Sequence, residues 1–464
     1  MDFVHFIGIG GVSMSGLAEI LHTRGIKVQG SDMRESDATR HLEKLGIKVF
    51  IGHSYDNVTD GLDLAVYTAA VKLDNPEIKA AQDKGIKIID RAELLGGLME
   101  DFETPICISG THGKTSTTSM VTEILLAADM DPTVSVGGHL DSINGNFRMG
   151  SNNHFVVESC EYFNSFLKFY PKIGVILNVD SDHLDYFHNL EEIQESFKKF
   201  AGNIKEGGTL IIWADTPGIE KIIEGLTCEI ITYGAPGADV VSYDVAFDED
   251  GYPEFGIIYK GQDLGKIKLG VRGDHNVLNA LSAAAAGMIA GAPVESIAQG
   301  LSRFGGARRR FERKGSYKGA LVADDYAHHP TEIKATLAAA KKMSQDRLLC
   351  VFQPHTYTRT KALMDDFAGS FTNADQVLVL DIYAAREKNT GDVHSLQLAQ
   401  RIKEKGKNAI YFPSFQDAEI YLRENLVPRD LLITMGAGDV YLIGEKLVSE
   451  ELSTLSTGKT GLAE

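Results

Sequence analysis

Short apolar segments and amphipathic helical segments alternate along the chain. The pattern predicts a strand over residues 3–9, a helix over 14–24 and a second strand over 27–30. Further short strands are predicted at 48–51, 64–68 and 87–89. Strands that alternate with helices usually pair in parallel through right-handed crossovers. The start of the chain is therefore expected to form a parallel sheet flanked by helices.

The alternation restarts twice further along. The acidic, proline-containing segment 101–105 precedes the first restart, and Gly305 and Gly306 precede the second. Strands are then predicted at 106–109, 154–158, 173–179, 210–213, 321–324, 348–352, 377–380, 409–412 and 431–434, and helices at 116–128 and 277–290. Between residues 239 and 268, alternating positions and turn residues predict an antiparallel patch. We predict three domains, at 1–103, 104–307 and 308–452, and a flexible tail at 453–464.

Composition and charge narrow the function classes. The 464 residues include 46 Lys and Arg against 64 Asp and Glu, which gives a formal net charge of −18. Such a surface repels a polyphosphate backbone, so no nucleic-acid partner is expected. The four cysteines lie far apart without a CxxC pair, which is typical of reduced thiols. Since no leader pattern and no apolar run of membrane-spanning length occur, we predict a cytoplasmic protein without a membrane partner.

A first glycine-rich turn follows the first predicted strand. Gly8, Gly10 and Gly11 nearly match the dinucleotide fingerprint, but Ser13 stands where the third glycine is expected. Asp32 ends the second strand, where an acid can accept a hydrogen bond from a ribose hydroxyl. The turn indicates a nucleotide at a Rossmann-like site, and a tight turn without a ligand remains the alternative.

A second glycine-rich turn is more specific. Residues 110–115 read Gly-Thr-His-Gly-Lys-Thr between an apolar strand and a helix, the context that a phosphate-binding loop requires. Lys114 can neutralise phosphates, and the Thr115 hydroxyl can bind Mg²⁺. Ile108 replaces the first glycine of the strict spacing. The same Gly-Lys-Thr letters recur at 458–460, where no strand precedes them, so that copy is interpreted as tail.

Polar residues at other strand ends point to the same sheet edge. Glu158 ends one strand, and an acidic cluster with His183 ends another. Carboxylates there can reach a magnesium ion beside the phosphate-binding loop. A structural role for His183 stays open, and Asn276 can either cap a helix or bind an adenine edge. An arginine such as Arg310 at the domain junction can stabilise a transferring phosphoryl group.

Nine segments, taken in order, resemble the Mur ligase family of ATP-dependent amide-forming enzymes. They are GIGGVSMSG (8–16), GTHGKTSTT (110–118), VESCEY (157–162), LNVDSDHLDYF (177–187), GDHNVLNALSAAAA (273–286), RRRFERKG (308–315), DDYAHHPTEI (324–333), FQPHTYTRT (352–360) and MGAGD (435–439). They span nearly the whole chain, and their number and order make the resemblance specific.

The resemblance implies an α/β fold of three consecutive domains. These would be a Rossmann-like N-terminal domain for a UDP-sugar, a central P-loop ATPase domain with a mixed sheet, and a Rossmann-like C-terminal domain for an amino acid. The segments are most similar to the branch that joins L-alanine to the carboxylate of UDP-N-acetylmuramate in peptidoglycan precursor synthesis. That branch implies ATP and Mg²⁺ as cofactors, an acyl phosphate intermediate, and a monomer or weak homodimer.

The resemblance also implies four groups of site residues. ATP would be bound by Gly110, Thr111, His112, Gly113, Lys114, Thr115, Ser116, Asn276, Arg310 and Asp325. Mg²⁺ would be held by Thr115, Glu158 and His183. The UDP-sugar would be bound by Gly10, Gly11, Ser13, Asp32 and Thr68, and the amino acid by Tyr326, His328, His355 and Arg359. The catalytic residues would be Lys114, Glu158, His183, Arg310 and His355.

Two positions depart from the family pattern. Cys160 stands between Glu158 and Glu161, where relatives often carry an acid. Thr356 stands where many relatives carry arginine, which places more of the alanine carboxylate on Arg359.

Three alternative functions remain open. A murein tripeptide ligase of the recycling branch would share the fold and chemistry and differ in the group that it adds, although segment 165–187 favours the alanine branch. An NAD-dependent oxidoreductase is suggested by the first glycine turn alone. A non-catalytic nucleotide-binding module would need neither a second metal nor a phosphoryl-stabilising arginine.

Overall fold

The structure is a computed structural model that describes residues 1–68, 71–182, 186–344, 346–385, 387–389 and 391–458. For Val12 and residues 454–458 it describes the backbone only. Three β-sheets succeed one another along the chain, and helices flank each of them. This architecture confirms the predicted α/β fold of three consecutive domains.

The first domain is a Rossmann-like unit. Its elements are β1 (Phe3–Ile7), α1 (Val12–Thr23), β2 (Lys27–Asp32), α2 (Asp37–Lys44), β3 (Lys48–Ile51), β4 (Leu64–Tyr67), α3 (Pro76–Asp83), β5 (Lys87–Asp90) and α4 (Arg91–Met99). The five strands are parallel in the order β3-β2-β1-β4-β5. The order reverses between β1 and β4, which opens a crevice at the carboxyl ends of these two strands.

The central domain is larger and its sheet is mixed. Its elements are β6 (Thr104–Ser109), α5 (Lys114–Ala127), β7 (Thr133–Leu140), β8 (Gly145–Arg148), β9 (His154–Glu158), β10 (Ile173–Ile176), α6 (Leu190–Gly202), β11 (Thr209–Trp213), α7 (Ile219–Ile223), β12 (Glu229–Tyr233), β13 (Val240–Phe247), β14 (Pro253–Tyr259), β15 (Gln262–Lys268), α8 (Asp274–Ile289) and α9 (Val294–Arg303). Short 3₁₀ segments occur in this domain at Asp141–Ile143 and Tyr162–Lys168, and the first domain contains one at Tyr55–Asn57.

The ten central strands run in the order β15-β14-β13-β12-β11-β10-β6-β9-β7-β8. The strands from β12 to β7 pair in parallel, so their carboxyl ends meet at one edge of the sheet. Strands β13, β14 and β15 pair antiparallel, which confirms the patch predicted between residues 239 and 268. Strand β6 lies between β10 and β9, and β9 ends at the predicted metal ligand Glu158.

The C-terminal domain contains a six-stranded sheet. Its elements are β16 (Glu312–Tyr317), β17 (Ala320–Asp325), α10 (Pro330–Met343), β18 (Leu348–Phe352), α11 (Tyr357–Ala362), α12 (Met364–Ala368), β19 (Gln376–Leu380), α13 (Ser395–Glu404), β20 (Asn408–Phe412), α14 (Phe415–Asn425), β21 (Leu431–Met435) and α15 (Tyr441–Gly458). The order is β16-β17-β21-β18-β19-β20. Among the described pairs of this sheet, β16 and β17 are antiparallel and the others are parallel.

Helix α15 corrects one prediction about the end of the chain. The helix continues through Gly458, so a flexible tail beginning at Ser453 is wrong for residues 453–458. Glu450, Glu451 and Leu452 directly before this segment and Leu455 within it are good helix formers, and the helix extends beyond the point where small polar residues suggested a tail. The copy of Gly-Lys-Thr at 458–460 therefore begins at a helix end, and its last two residues lie outside the described residues.

The first domain packs on the central domain through two close backbone approaches. A Cβ added at Gly16 of α1 would lie 2.4 Å from the Phe147 ring of β8. A Cβ at Gly96 of α4 would lie 2.1 Å from the carbonyl oxygen of Lys168. Only glycine fits at either position, so the carboxyl edge of the first sheet is held against the central domain.

A buried polar network stabilises the first domain. The Glu77 carboxylate is fully buried and accepts hydrogen bonds from Ser31 Oγ at 2.5 Å and Asn57 Nδ2 at 2.6 Å. Its Oε2 also lies 3.3 Å from His5 Nε2. Burial alone would raise the pKa of Glu77, but the hydrogen bonds outweigh it and lower the pKa to about 2.

We expect Glu77→Ala to destabilise the protein by about 3 kcal/mol, because it leaves several buried donors without an acceptor. Because the folded pKa lies below the ordinary 4.5, the stabilisation is present above pH 4.5 and is lost as the pH falls towards 2. Urea unfolding at several pH values measures both effects. Glu43→Ala, at an exposed position of α2, is the control and should change stability by less than about 0.5 kcal/mol. An equal loss in both variants would contradict the prediction.

Candidate active site

The turn between β6 and α5 has the backbone geometry of a phosphate-binding loop. Gly110 and Gly113 have φ angles of +134° and +83°, which side chains rarely allow. A Cβ at Gly113 would also lie 2.7 Å from Asn279 Oδ1. The turn therefore delivers the amino-terminal end of α5 to the sheet edge, where its free N–H groups favour an anion.

Lys114 is the first residue of α5 and its ammonium folds back over the turn. Nζ donates to the Gly110 and Thr111 carbonyl oxygens at 2.5 and 3.0 Å and lies 3.0 Å from Glu161 Oε2. Burial would lower the pKa of Lys114, but the buried Glu161 carboxylate outweighs it and raises the pKa. Lys114 therefore keeps its positive charge at the mouth of the turn.

Thr115 and Glu158 form a pair of oxygen ligands beside this turn. Thr115 Oγ1 donates to Glu158 Oε1 at 3.2 Å, and Gly137 N–H donates to Glu158 Oε2 at 2.6 Å. Strand β7 makes room for both, because a Cβ at Gly137 would lie 2.5 Å from the Glu158 carboxylate and one at Gly138 would lie 3.1 Å from Thr115. These two glycines were missed in the sequence, although paired glycines inside a strand signal a close approach.

The segment after β10 clamps the glycine turn from the other side. Asn178 Oδ1 accepts from His112 N–H at 2.8 Å, and Asn178 Nδ2 donates to the His112 carbonyl at 3.0 Å. The Asp180 N–H donates to Thr111 Oγ1 at 2.9 Å. The neighbouring strands β6 and β10 thus bring the polar segments that follow them together at one edge of the sheet. His183 lies outside the described residues.

The three consecutive arginines at the domain junction have different environments. Arg309 is built into the C-terminal domain, since it donates to Asp324 at 2.9 Å and to the Gly436 carbonyl at 2.7 Å. Arg308 is 60 % exposed. All three arginines line the candidate cavity, and the Arg310 guanidinium lies 3.8 Å from the Glu332 carboxylate. The backbone has positive φ angles at Arg309 and Phe311, and this local turn makes the three arginine side chains point in different directions.

Glu332 of α10 joins several of these groups and was missed in the sequence. Its carboxylate lies 3.3 Å from His112 Nδ1 and accepts from the His328 N–H at 3.1 Å. Burial would raise the pKa of Glu332, but the charges of His112 and Arg310 outweigh it and hold the pKa well below its usual range. In turn, Asp180 and Glu332 overcome the effect of burial and raise the pKa of His112 to about 9.

A cavity of about 1180 Å³ lies between the central and C-terminal domains. It is lined by residues of both, including Gly113 and Ser116 of the turn, Asn276 of α8 and Asp325 at the end of β17. Burial raises the pKa of Asp325 to about 6, and its carboxylate accepts from two backbone N–H groups. Asn276 does not cap α8 but donates to the Arg272 carbonyl at 2.7 Å.

The predicted amino-acid residues also meet near this junction. Arg359 of α11 donates to Asp182 at 2.9 and 3.0 Å and to His355 Nδ1 at 3.0 Å. The rings of His328 and His355 are 5.6 Å apart, and those of Tyr326 and His328 are 5.5 Å apart. Burial lowers the pKa of His328 to about 3, so its ring is neutral.

The predicted UDP-sugar residues form a separate group at the first sheet. Gly10 N–H donates to Asp32 Oδ2 at 2.9 Å. A Cβ at Gly8 would lie 2.9 Å from Thr68 Cγ2. Gly11 immediately precedes α1, and Ser13 lies in its first turn. None of these residues is among the described residues that line the cavity between the central and C-terminal domains.

One cation of the first domain approaches the central site and was also missed. Arg91 begins α4 directly after β5, at the carboxyl edge of the first sheet. Burial lowers the pKa of Arg91, and the charges of Asp90 and Glu158 oppose this effect. The sequence signal was an arginine directly after a strand, which is too common to single out.

Comparisons with known proteins agree with this geometry. Three family models match in order: the Mur ligase family catalytic domain at residues 3–103, the Mur ligase middle domain at 108–287 and the Mur ligase glutamate ligase domain at 309–438. A UDP-N-acetylmuramate–L-alanine ligase from Agathobacter rectalis is 52% identical over 96% of this chain and 98% of its own length. A UDP-N-acetylmuramate–L-alanine ligase from Acetivibrio thermocellus is 49% identical over 97% of this chain and 96% of its own length.

Solved structures give the same result. The UDP-N-acetylmuramate–alanine ligase of Thermotoga maritima superposes with a TM-score of 0.80 and 29% identity, covering 98% of this chain and all of that one. A murein peptide ligase from Psychrobacter arcticus gives a TM-score of 0.71 and 25% identity, covering 97% and 98%. The fold, the three matched models and the relatives over nearly the full length show that this chain belongs to the Mur ligase family.

Proposed function

We propose that this protein joins L-alanine to the carboxylate of UDP-N-acetylmuramate and converts ATP to ADP and phosphate in the same reaction. The observation that carries the reaction type is the convergence of Lys114, Arg310 and the Thr115–Glu158 pair on one interdomain region. The relatives at 52% and 49% identity support L-alanine as the added group. They favour this reaction over the recycling of a murein tripeptide.

Residues of the central and C-terminal domains would bind ATP. The N–H groups at the start of α5 and the Lys114 ammonium offer positive charge to the phosphates. Phosphate oxygens would replace the backbone carbonyls that now accept from Lys114. Asn276 and Asp325 line the part of the cavity assigned to the nucleoside, and Arg310 reaches the phosphates from the C-terminal domain.

The donor set beside the turn fits Mg²⁺. A hydroxyl and a carboxylate oxygen at 3.2 Å are hard ligands, and the glycines of β7 leave space beside them. Thr115 and Glu158 would hold the ion, and His183 stays a predicted ligand. When bound, Mg²⁺ would neutralise phosphate charge at this point.

Gly137→Ala is expected to impair Mg²⁺ use without unfolding the protein. The added Cβ would lie 2.5 Å from Glu158 Oε1 and push the carboxylate away from Thr115. We expect the Mg²⁺ concentration for half-maximal activity to rise about tenfold. Gly97→Ala, which meets nothing within 4 Å, is the matched control. Unchanged Mg²⁺ dependence in Gly137→Ala would refute the assignment of Glu158.

The reaction divides into two steps. A carboxylate oxygen of the donor attacks the γ-phosphorus of ATP, the bond to the β-phosphate oxygen breaks, and ADP leaves. The alanine amine then attacks the acyl carbon, loses a proton, and phosphate leaves with the former carboxylate oxygen. In the first step anionic groups must approach one another, and Lys114 and Arg310 offset that repulsion. Arg91 offers a third cation on the donor's side.

Arg359 and His355 can prepare the alanine. Arg359 now donates to His355 Nδ1, which makes that nitrogen an acceptor. If the alanine carboxylate takes the Arg359 guanidinium, His355 Nδ1 becomes able to accept the ammonium proton. His355 is therefore our proposed base for the second step.

Phosphate release tests the donor and the acceptor together. ATP, Mg²⁺ and UDP-N-acetylmuramate are supplied without amino acid or with L-alanine, glycine, L-serine or a murein tripeptide. We expect release that needs both the UDP-sugar and L-alanine. Release with the tripeptide and not with L-alanine would move the protein to the recycling branch. No release under any pairing would favour a nucleotide-binding module.

The cellular location and the oligomeric state of the protein are also part of the proposal. All four cysteines are free, which fits the reduced thiols of a cytoplasmic enzyme. Within the described part of the chain, every helix is too short or too polar to cross a bilayer. A monomer or weak homodimer remains our prediction for the oligomeric state.

A further inference from the structure

Two histidines and an aspartate meet at the seam between the central and C-terminal domains. His112 belongs to the glycine turn, Asp180 follows β10, and His329 immediately precedes α10. One ligand atom of each lies within 4.8 Å of the other two. Ligation by the proposed reaction uses none of these three side chains as a metal ligand.

The separations of these atoms are close to those around a tetrahedral ion. His112 Nε2 lies 3.5 Å from Asp180 Oδ2, and His329 Nδ1 lies 4.0 Å from the same oxygen. A tetrahedral zinc ion with bonds of about 2.0–2.2 Å separates its ligand atoms by about 3.3–3.6 Å. Since the three ligand atoms lie within 4.8 Å of one another, zinc would draw them together by side-chain rotation.

Both rings are already oriented by contacts on their far sides. His112 Nδ1 lies 3.3 Å from the Glu332 carboxylate, and His329 Nε2 donates to the Ser181 carbonyl at 3.1 Å. Metal-binding histidines usually donate their second N–H to a carboxylate or a backbone carbonyl. Each ring therefore turns its other nitrogen towards Asp180, and zinc binding at His112 would release the proton that the raised pKa of this residue keeps on the ring at neutral pH. His112 Nε2 is buried and makes no hydrogen bond among the described residues.

The third ligand is also held in place. Asp180 Oδ2 accepts from Thr331 Oγ1 at 2.7 Å, and Asp180 Oδ1 accepts from the Ser181 N–H at 2.8 Å. His329 Nδ1 accepts a long hydrogen bond of 3.3 Å from the Thr331 N–H, which a metal bond would replace. The site is thus assembled from side chains whose positions other contacts fix.

We propose that His112, Asp180 and His329 form a Zn²⁺ site that links the phosphate-binding turn to the C-terminal domain. Two imidazoles and one carboxylate suit zinc, whereas Mg²⁺ prefers oxygen ligands alone. The site is separate from the Thr115–Glu158 pair. Because its ligands come from both domains, bound zinc holds α10 against the glycine turn.

Zinc titration of the full-length protein tests this site. Isothermal titration calorimetry with Zn²⁺ is carried out in excess Mg²⁺, which occupies sites made of oxygen ligands. We expect one equivalent of zinc per chain, and at least about tenfold weaker binding in His329→Asn. Asparagine retains an oxygen that can cap α10, so the helix start is preserved while the imidazole is lost.

His41→Asn is the matched control, because His41 is an exposed histidine of α2 that pairs with Glu19. Its zinc affinity should equal that of the unmodified protein. Asp180→Asn is a second variant that should weaken binding similarly, and circular dichroism verifies that each variant folds. Absence of stoichiometric zinc, or equal affinity in His329→Asn and Asp180→Asn and the unmodified protein, would overturn the proposal. Since the readout is metal binding, either result is independent of the proposed ligase activity.

Discussion

Replacing Lys114 with alanine is expected to reduce ATP turnover by about 10³-fold or more. The substitution removes a buried ammonium at the start of α5, where the phosphates are proposed to bind. One preorganised group of this kind contributes about 10²–10³ to the rate, and a charge that also binds ATP contributes further. Steady-state phosphate release at saturating donor and L-alanine measures the loss.

The second Gly-Lys-Thr copy provides the control for this variant. Lys459→Ala changes the same three-letter sequence outside the strand–turn–helix context. We expect it to retain full activity. Loss of activity in Lys459→Ala, or retention of it in Lys114→Ala, would show that the two copies are assigned the wrong way round.

Replacing Arg310 with alanine is expected to lower kcat by about 10³-fold, with a smaller change in the KM for ATP. Its guanidinium enters the cavity from the C-terminal domain, opposite the glycine turn. An arginine that stabilises a transferring phosphoryl group contributes about 10³–10⁵ to kcat. Substrate-saturation kinetics separate the effect on kcat from that on KM.

The neighbouring Arg308 is the matched control for Arg310. It lines the same cavity two positions earlier, but its exposed guanidinium lies 3.7 Å from the Asp141 carboxylate, whereas that of Arg310 lies near Glu332. Surface pairs of this kind contribute about 0–1 kcal/mol, so Arg308→Ala should remain folded and active. Similar losses of kcat in both variants would mean that general positive charge at the junction, and not the position of Arg310, matters.

Most of the strand framework could be predicted because buried parallel strands are apolar throughout. Strands β3, β9 and β18 have the bounds expected from the sequence. Strands β7, β8, β12 and β16 were missed, and of these β7, β8 and β16 carry glycines or many polar residues near the sheet edges. In β7 the paired glycines serve the site rather than the sheet, since they make room for Glu158 and Thr115.

The candidate site was predictable only as far as strand ends determine it. Glu158 and Asp180 could be placed together because parallel strands share one carboxyl edge. The directions of the three arginines could not be predicted, since they depend on positive φ angles in a non-glycine turn. The pairing of Arg359 with Asp182 spans 177 residues and depends on how two domains meet.

The most direct test of the proposed reaction follows the carboxylate oxygen of the donor. UDP-N-acetylmuramate labelled with ¹⁸O in its carboxylate is incubated with ATP, Mg²⁺ and L-alanine, and the released phosphate is analysed by mass spectrometry. The account predicts one ¹⁸O atom in each phosphate, released only when L-alanine is present and accompanied by an equal amount of the amide product. Unlabelled phosphate would mean that water attacks ATP, and it would contradict the proposed ligase reaction.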